Sequence, residues 1–212
     1  TPYVAYMLES MPGFVKNAVR NGDSWDITTV SEGYYYGPLD IAIGSDDVAH
    51  ITYHDHQDDS QFRPEVGDAI HASLAPGGEW QVEAAPDEGH DGWDNRITVD
   101  AEGRPHMSAI DPLEFEGDGI TYYRRNGPGD WTVESIGSGQ QTYKYSTSIA
   151  VAPDGIPYIT YYDQGGRDLA LARRDDSGWT IDHIDTDGDT GLFSSLIIDA
   201  DGRLHVTYLQ KE

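Results

Sequence analysis

The sequence predicts an all-β fold: a β-propeller of four blades, each of four antiparallel strands, closed by pairing N- and C-terminal strands. Three observations predict it. The segments "LDIAIGSDDVAHITYHD" (39–55), "NRITVDAEGRPHMSAID" (95–111), "TSIAVAPDGIPYITYYD" (147–163) and "SLIIDADGRLHVTYLQ" (195–210) align without gaps. Trp25, Trp80, Trp131 and Trp179 recur at the same point of the repeat, and units of about fifty residues are the spacing of propeller blades. No stretch carries a helical period of apolar residues.

Each aligned segment reads as an apolar first strand, a tight Asp/Gly turn and a second strand of alternating character. The first three are followed by a loop, a third strand ("AIHASLAP", "GITYYRRNG", "LALARRDD"), a turn and a fourth strand opening on Trp ("EWQVEAA", "DWTVESI", "GWTIDHI"). The last copy lacks its third and fourth strands, and the N-terminus supplies them as "FVKNAVRNG" and "SWDITTV". Pairing these with 195–210 makes one mixed blade, leaves no open sheet edge, and makes residues 1–212 a single β-propeller domain. "TPYVAYML" is surplus, since it duplicates the second strand "RLHVTYLQ". It adds an edge strand, or the chain is a piece of a larger ring.

Composition narrows the partners. There are 27 Asp and 11 Glu against 10 Arg and 3 Lys, a formal net charge of −25, and such a surface repels nucleic acid and anionic membranes. No apolar run is long enough to span a bilayer. With no cysteine, disulfides, thiolate metal sites and a cysteine nucleophile are excluded. The Asp-rich, Lys-poor balance suits an extracellular or cell-surface protein, and a saline setting that screens self-repulsion.

The copies "SIAVAPDGIPYITYYD" and "SGWTIDHID" resemble the bacterial propeller repeat of the sialidase-like, or BNR, kind, S-x-A-x-D-x-x-G-x-P-H-x-x-Y-x-D followed by G-x-W. The resemblance covers nearly the whole chain. It implies the propeller fold and a group of proteins that includes glycosidases, polysaccharide lyases and lectins, so it does not choose among functions. A full Asp-box S-x-D-x-G-x-x-W is absent, "RDDSGW" being a degenerate relative. The arginine triad and Tyr/Glu pair of a sialidase are not placed either, so the resemblance comes without the sialidase catalytic set.

Repetition separates scaffold from site. His50, His106 and His205 share one phase with Tyr158, and Asp55, Asp111 and Asp163 share another; both sets read as scaffold. The segments before each first strand share no pattern but are rich in aromatics: Tyr34, Tyr35, Tyr36, Trp93, Tyr143, Tyr145 and Phe193. In a propeller these loops and the second-to-third-strand loops emerge on one face, the usual place for a site. Exposed rings beside polar groups suit sugar stacking, so the expected partner is a glycan or another small polar ligand. Arg96, aligned with Asp40, joins that set and is expected to pair with Asp40 across the channel.

Two clusters suggest metal. His54 and His56 lie on alternate residues in "YHDHQDDSQF" and would suit a divalent transition metal, or one would serve as a general base. Asp185, Asp187 and Asp189 in "DTDGDTG" would suit calcium. Two function classes remain open beside a plain scaffold: a lectin-like binding module, and a polysaccharide lyase or hydrolase. The enzyme reading draws on His54, His90 and Tyr143 as acid–base groups, or on Asp55 with Asp91 as paired carboxylates.

Overall fold

Alternating apolar residues bounded by Asp/Gly turns give strands throughout the computed structural model, which describes residues 1–8, 10, 12–35, 37–55, 67–86, 92–110, 119–136 and 147–211. They form five antiparallel sheets in chain order. The first holds β1 (Tyr3–Leu8), β2 (Gly13–Asn21) and β3 (Ser24–Gly33). The second holds β4 (Asp40–Ile43), β5 (Ala49–Asp55), β6 (Asp68–Leu74) and β7 (Gln81–Ala84). The third holds β8 (Trp93–Val99), β9 (Pro105–Ile110), β10 (Ile120–Gly127) and β11 (Asp130–Ile136). The fourth holds β12 (Ser148–Val151), β13 (Pro157–Asp163), β14 (Asp168–Asp175) and β15 (Gly178–Asp185), and the fifth holds β16 (Asp189–Ile198) and β17 (Leu204–Lys211). The repeat thus folds as blades of four consecutive antiparallel strands, and β4, β8, β12 and β16 lie side by side as their innermost strands.

The two end sheets differ from the expected closure. β16–β17 and β1–β2–β3 are separate sheets, not one mixed blade. The surplus strand is the reason: β1 pairs with β2 from Tyr3↔Val19 to Leu8↔Phe14, along the edge that β17 would need.

Apolar residues at alternate strand positions build a seam between each pair of sheets. Val15, Val30 and Tyr35 pack on Ile51, Tyr53, Ile70 and Ala72 between the first and second. Ala69 and Ala85 meet Ile97, Met107, Ala109 and Tyr123 between the second and third. Ile110, Ile120, Tyr122 and Ile136 meet Ile149, Ile159 and Tyr161 between the third and fourth. Trp80, Trp131 and Trp179 belong to these seams, whereas Trp25 is exposed: Trp80 donates to Thr28 Oγ1 at 3.1 Å, and Trp179 to Glu134 Oε2 at 2.7 Å.

Candidate functional site

Segments that enter the first strands reach across to the preceding blade. Gly92 and Gly191 have φ of 107° and 99°, and a Cβ on either would lie under 3 Å from the backbone of Ala69 or Leu169. Only glycine supplies both the conformation and the clearance. Since Ala69 and Leu169 open third strands, the fourth-to-first and second-to-third connections do share one face.

Two residues later, Asp94 and Phe193 occupy the same repeat position and both take φ of 51°. Their fates differ. Phe193 is 57% exposed, whereas Asp94 is buried and meets Arg96 Nη2 at 3.0 Å. Burial pushes the Asp94 carboxyl above the usual carboxylate range; Arg96 opposes this and Asp40 adds to it. Beside it the Asn95 side chain is fully buried with neither amide atom hydrogen-bonded.

The expected pairing of Arg96 with Asp40 is not made. Asp40 accepts from Ile97 N at 3.0 Å and from Ile41 N at 2.9 Å, clamping the next blade's first strand. Ser148 does the same for Leu196 N at 2.9 Å. A guanidinium has no acceptor and cannot fill that role, so Arg96 turns to Asp94 and donates to Asn95 O at 3.0 Å.

The aromatic candidates divide. Tyr34 is 42% exposed. Tyr35 is buried edge-on to Tyr53 in the seam of the first two sheets, so it is not presented to a ligand. Trp93 is also buried, edge-on to the buried His54 and close to Gly37. His54 is the penultimate residue of β5 rather than a loop residue. Asp55 is half-buried, and burial followed by Asp68 pushes its carboxyl up. Tyr36, His56, His90, Asp91, Tyr143 and Tyr145 lie outside the described residues.

The "DTDGDTG" carboxylates do not converge. Asp185 accepts from Tyr208 OH at 2.7 Å and from Asp187 N at 3.1 Å, while Asp189 accepts from Tyr162 OH at 2.7 Å. Protein donors hold them as turn and seam bonds, and among the described residues no group of three or more His, Asp or Glu is disposed around one point for a metal. The repeated histidines are engaged locally: His106 with Tyr122 OH at 2.7 Å and Asp100 at 3.1 Å, His205 with Asp199 at 2.9 Å, His50 with His71 at 3.0 Å. Asp94 escaped the sequence reading, although its one signal was legible, an acid where the aligned copy has Phe193.

No family model and no curated protein matches the chain. Solved propellers do. A protein of unknown function from Dyadobacter fermentans superposes with a TM-score of 0.59 at 13% identity, over 92% of this chain and 64% of that one. The Hadza microbial sialidase superposes at 0.61 and 11% identity, over 92% and 46%. The NanB sialidase of Streptococcus pneumoniae superposes at 0.57 and 14%, over 92% and 32%. The chain thus spans less than two thirds of the length of each, and identities this low support the propeller fold alone.

Proposed function

We propose that the face carrying the first-strand entry loops binds a neutral carbohydrate, as a lectin-like module. The observation that carries the reading is the split among the aromatics. Tyr34 and Phe193 stand in solvent while Tyr35 and Trp93 are buried, so two flat rings are free for stacking on a sugar. Arg96, a quarter exposed, supplies N–H donors to sugar hydroxyl oxygens. A net charge of −25 disfavours an acidic polymer, which is why the proposed ligand is neutral.

Titration with neutral oligosaccharides, read by calorimetry, tests it. Saturable binding lost in Tyr34→Ala and Phe193→Ala, with unchanged melting temperature, supports the module. Binding that survives both substitutions, or no binding by the wild type, overturns it.

Asp94 favours a second reading, a glycoside-cleaving enzyme. A carboxyl that burial pushes upward is the type of group that gives a proton to a leaving-group oxygen. Release of reducing ends, abolished in Asp94→Asn, would support it; binding without turnover returns the site to the module. Calcium gains no support from the carboxylate geometry, and metal analysis of the purified protein checks it together with the histidine pair.

A further inference from the structure

The outer faces at the two ends of the row of sheets expose residues whose repeat equivalents in the inner seams are buried. Ile51, Met107 and Ile159, at one second-strand position, are fully buried under the preceding sheet, whereas their equivalent Val4 is 45% exposed. Trp131 and His71 meet edge to face, as do Trp179 and Tyr122 of the preceding sheet; Trp25 has Arg20 of its own sheet over it and is 42% exposed. At the opposite end, Ile184 is 49% exposed where Val30, Ala85 and Ile136 are buried. Leu209 is exposed where His54, Ile110 and Tyr162 are buried.

Charge follows the same logic. The seam acid on the fourth strand takes the arginine on the next sheet's third strand: Glu83 takes Arg125, and Glu134 takes Arg174 at 2.7 and 2.8 Å. Where the third strand has Leu74 in place of arginine, the facing fourth strand has Thr28 in place of the acid. The two types are matched across each seam. By strand register, Asp182 opposite Leu171 is the fourth sheet's version of Glu134 opposite Tyr122. Arg20 opposite Trp25 is the first sheet's version of Arg174 opposite Trp179. Asp182 and Ile184 are both exposed. β1 and β17 are also alike, "YVAYML" against "HVTYLQ", so the β2 edge that holds β1 suits β17 equally.

We propose that these ends are the two halves of one seam and that a second copy of this chain joins them head to tail. β2 and β3 of one copy take the third- and fourth-strand places beside β17 of the other, with β17 replacing β1 on the β2 edge. Arg20 then meets Asp182 and Trp25 covers Leu171 and Ile184. Such an interface uses different patches on the two partners and propagates into a closed ring or a filament. The driving term is apolar burial, the ion pair setting the orientation.

Light scattering after size exclusion, over a range of protein concentrations, tests this with the full chain. Concentration-dependent mass above the monomer is expected. Ile184→Asp and Trp25→Ala change exposed positions, so the fold should persist by circular dichroism while association weakens about tenfold or more. Arg20→Asp and Asp182→Arg each weaken association, and an equimolar mixture of the two restores it, because each supplies the half the other lacks. A monomer at every concentration overturns the proposal. So does association that survives Ile184→Asp, or a mixture no better than either variant alone.

Discussion

The seam between the second and third sheets and the seam between the third and fourth occupy the same place in the repeat but are built from different chemistry. In the later seam, isoleucines and tyrosines interdigitate, and Glu134 receives Arg174 bidentately together with the Trp179 indole. In the earlier one alanines replace the isoleucines, and the space holds His50 stacked on His71 with Nδ1···Nε2 at 3.0 Å. His50 and His106 are repeat equivalents. His106 has Asp100 and Tyr122 on its two nitrogens; His50 has Gly44 where that aspartate would be, and its Nε2 is buried without a hydrogen-bond partner. Identical topology therefore tolerates a seam filled by isoleucine and tyrosine and one holding a histidine pair, and the latter depends on two rings staying neutral.

The largest expected effect of a single substitution sharpens the apolar side. Ile159→Ala, at a fully buried position, should cost about 3 kcal/mol in denaturant unfolding through lost burial and a residual cavity. Acid breaks the polar side. Burial lowers His50 to about 4, with Arg125 adding and Asp46 opposing. Burial lowers His71 to about 3, with the His50 and Arg125 charges adding and Glu83 opposing. Because the folded values lie below the ordinary histidine value, the unfolded chain binds more protons below about pH 6.5. Stability is present in full above that pH and falls as pH drops toward 4, by on the order of 2 kcal/mol per ring. Thermal melts across this window should flatten in a His50→Phe/His71→Leu double variant; an unchanged pH slope would remove the pair as the cause.

A smaller effect tests the shared ion pair. Glu134→Gln keeps the shape but leaves Arg174 without its counter-charge, for about 1 kcal/mol at a half-buried site. Glu83→Gln should cost a similar amount through Arg125. The smallest concerns the open face: Tyr34→Ala should leave the melting temperature within about 1 °C, as surface changes away from packing do.

The repeat made the blades legible because strand alternation, Asp/Gly turns and one tryptophan per unit are local signals. The seams were not, because they join residues from different copies. Nothing near Tyr35 in the chain announces that Tyr53 will cover it while Tyr34 stays in solvent. The preference of Arg96 for Asp94 over Asp40 was equally hidden, since the first-strand position asks for an acceptor and that demand exists only once two blades meet. The surplus strand was visible in the sequence, but its choice of the β2 edge over β17 depended on nearness in the chain.

Gly92 and Gly191 carry a consequence beyond their own turns. Each lets the chain cross the preceding blade at backbone contact and enter the inner strand in a fixed direction. Around Gly191 the flanking segment is tied to the last strand, with Thr190 opposite Gln210 and Gln210 donating to Asp187 O at 2.8 Å. Each glycine thus sets the spacing between neighbouring blades, and a side chain at either would have to push the two apart.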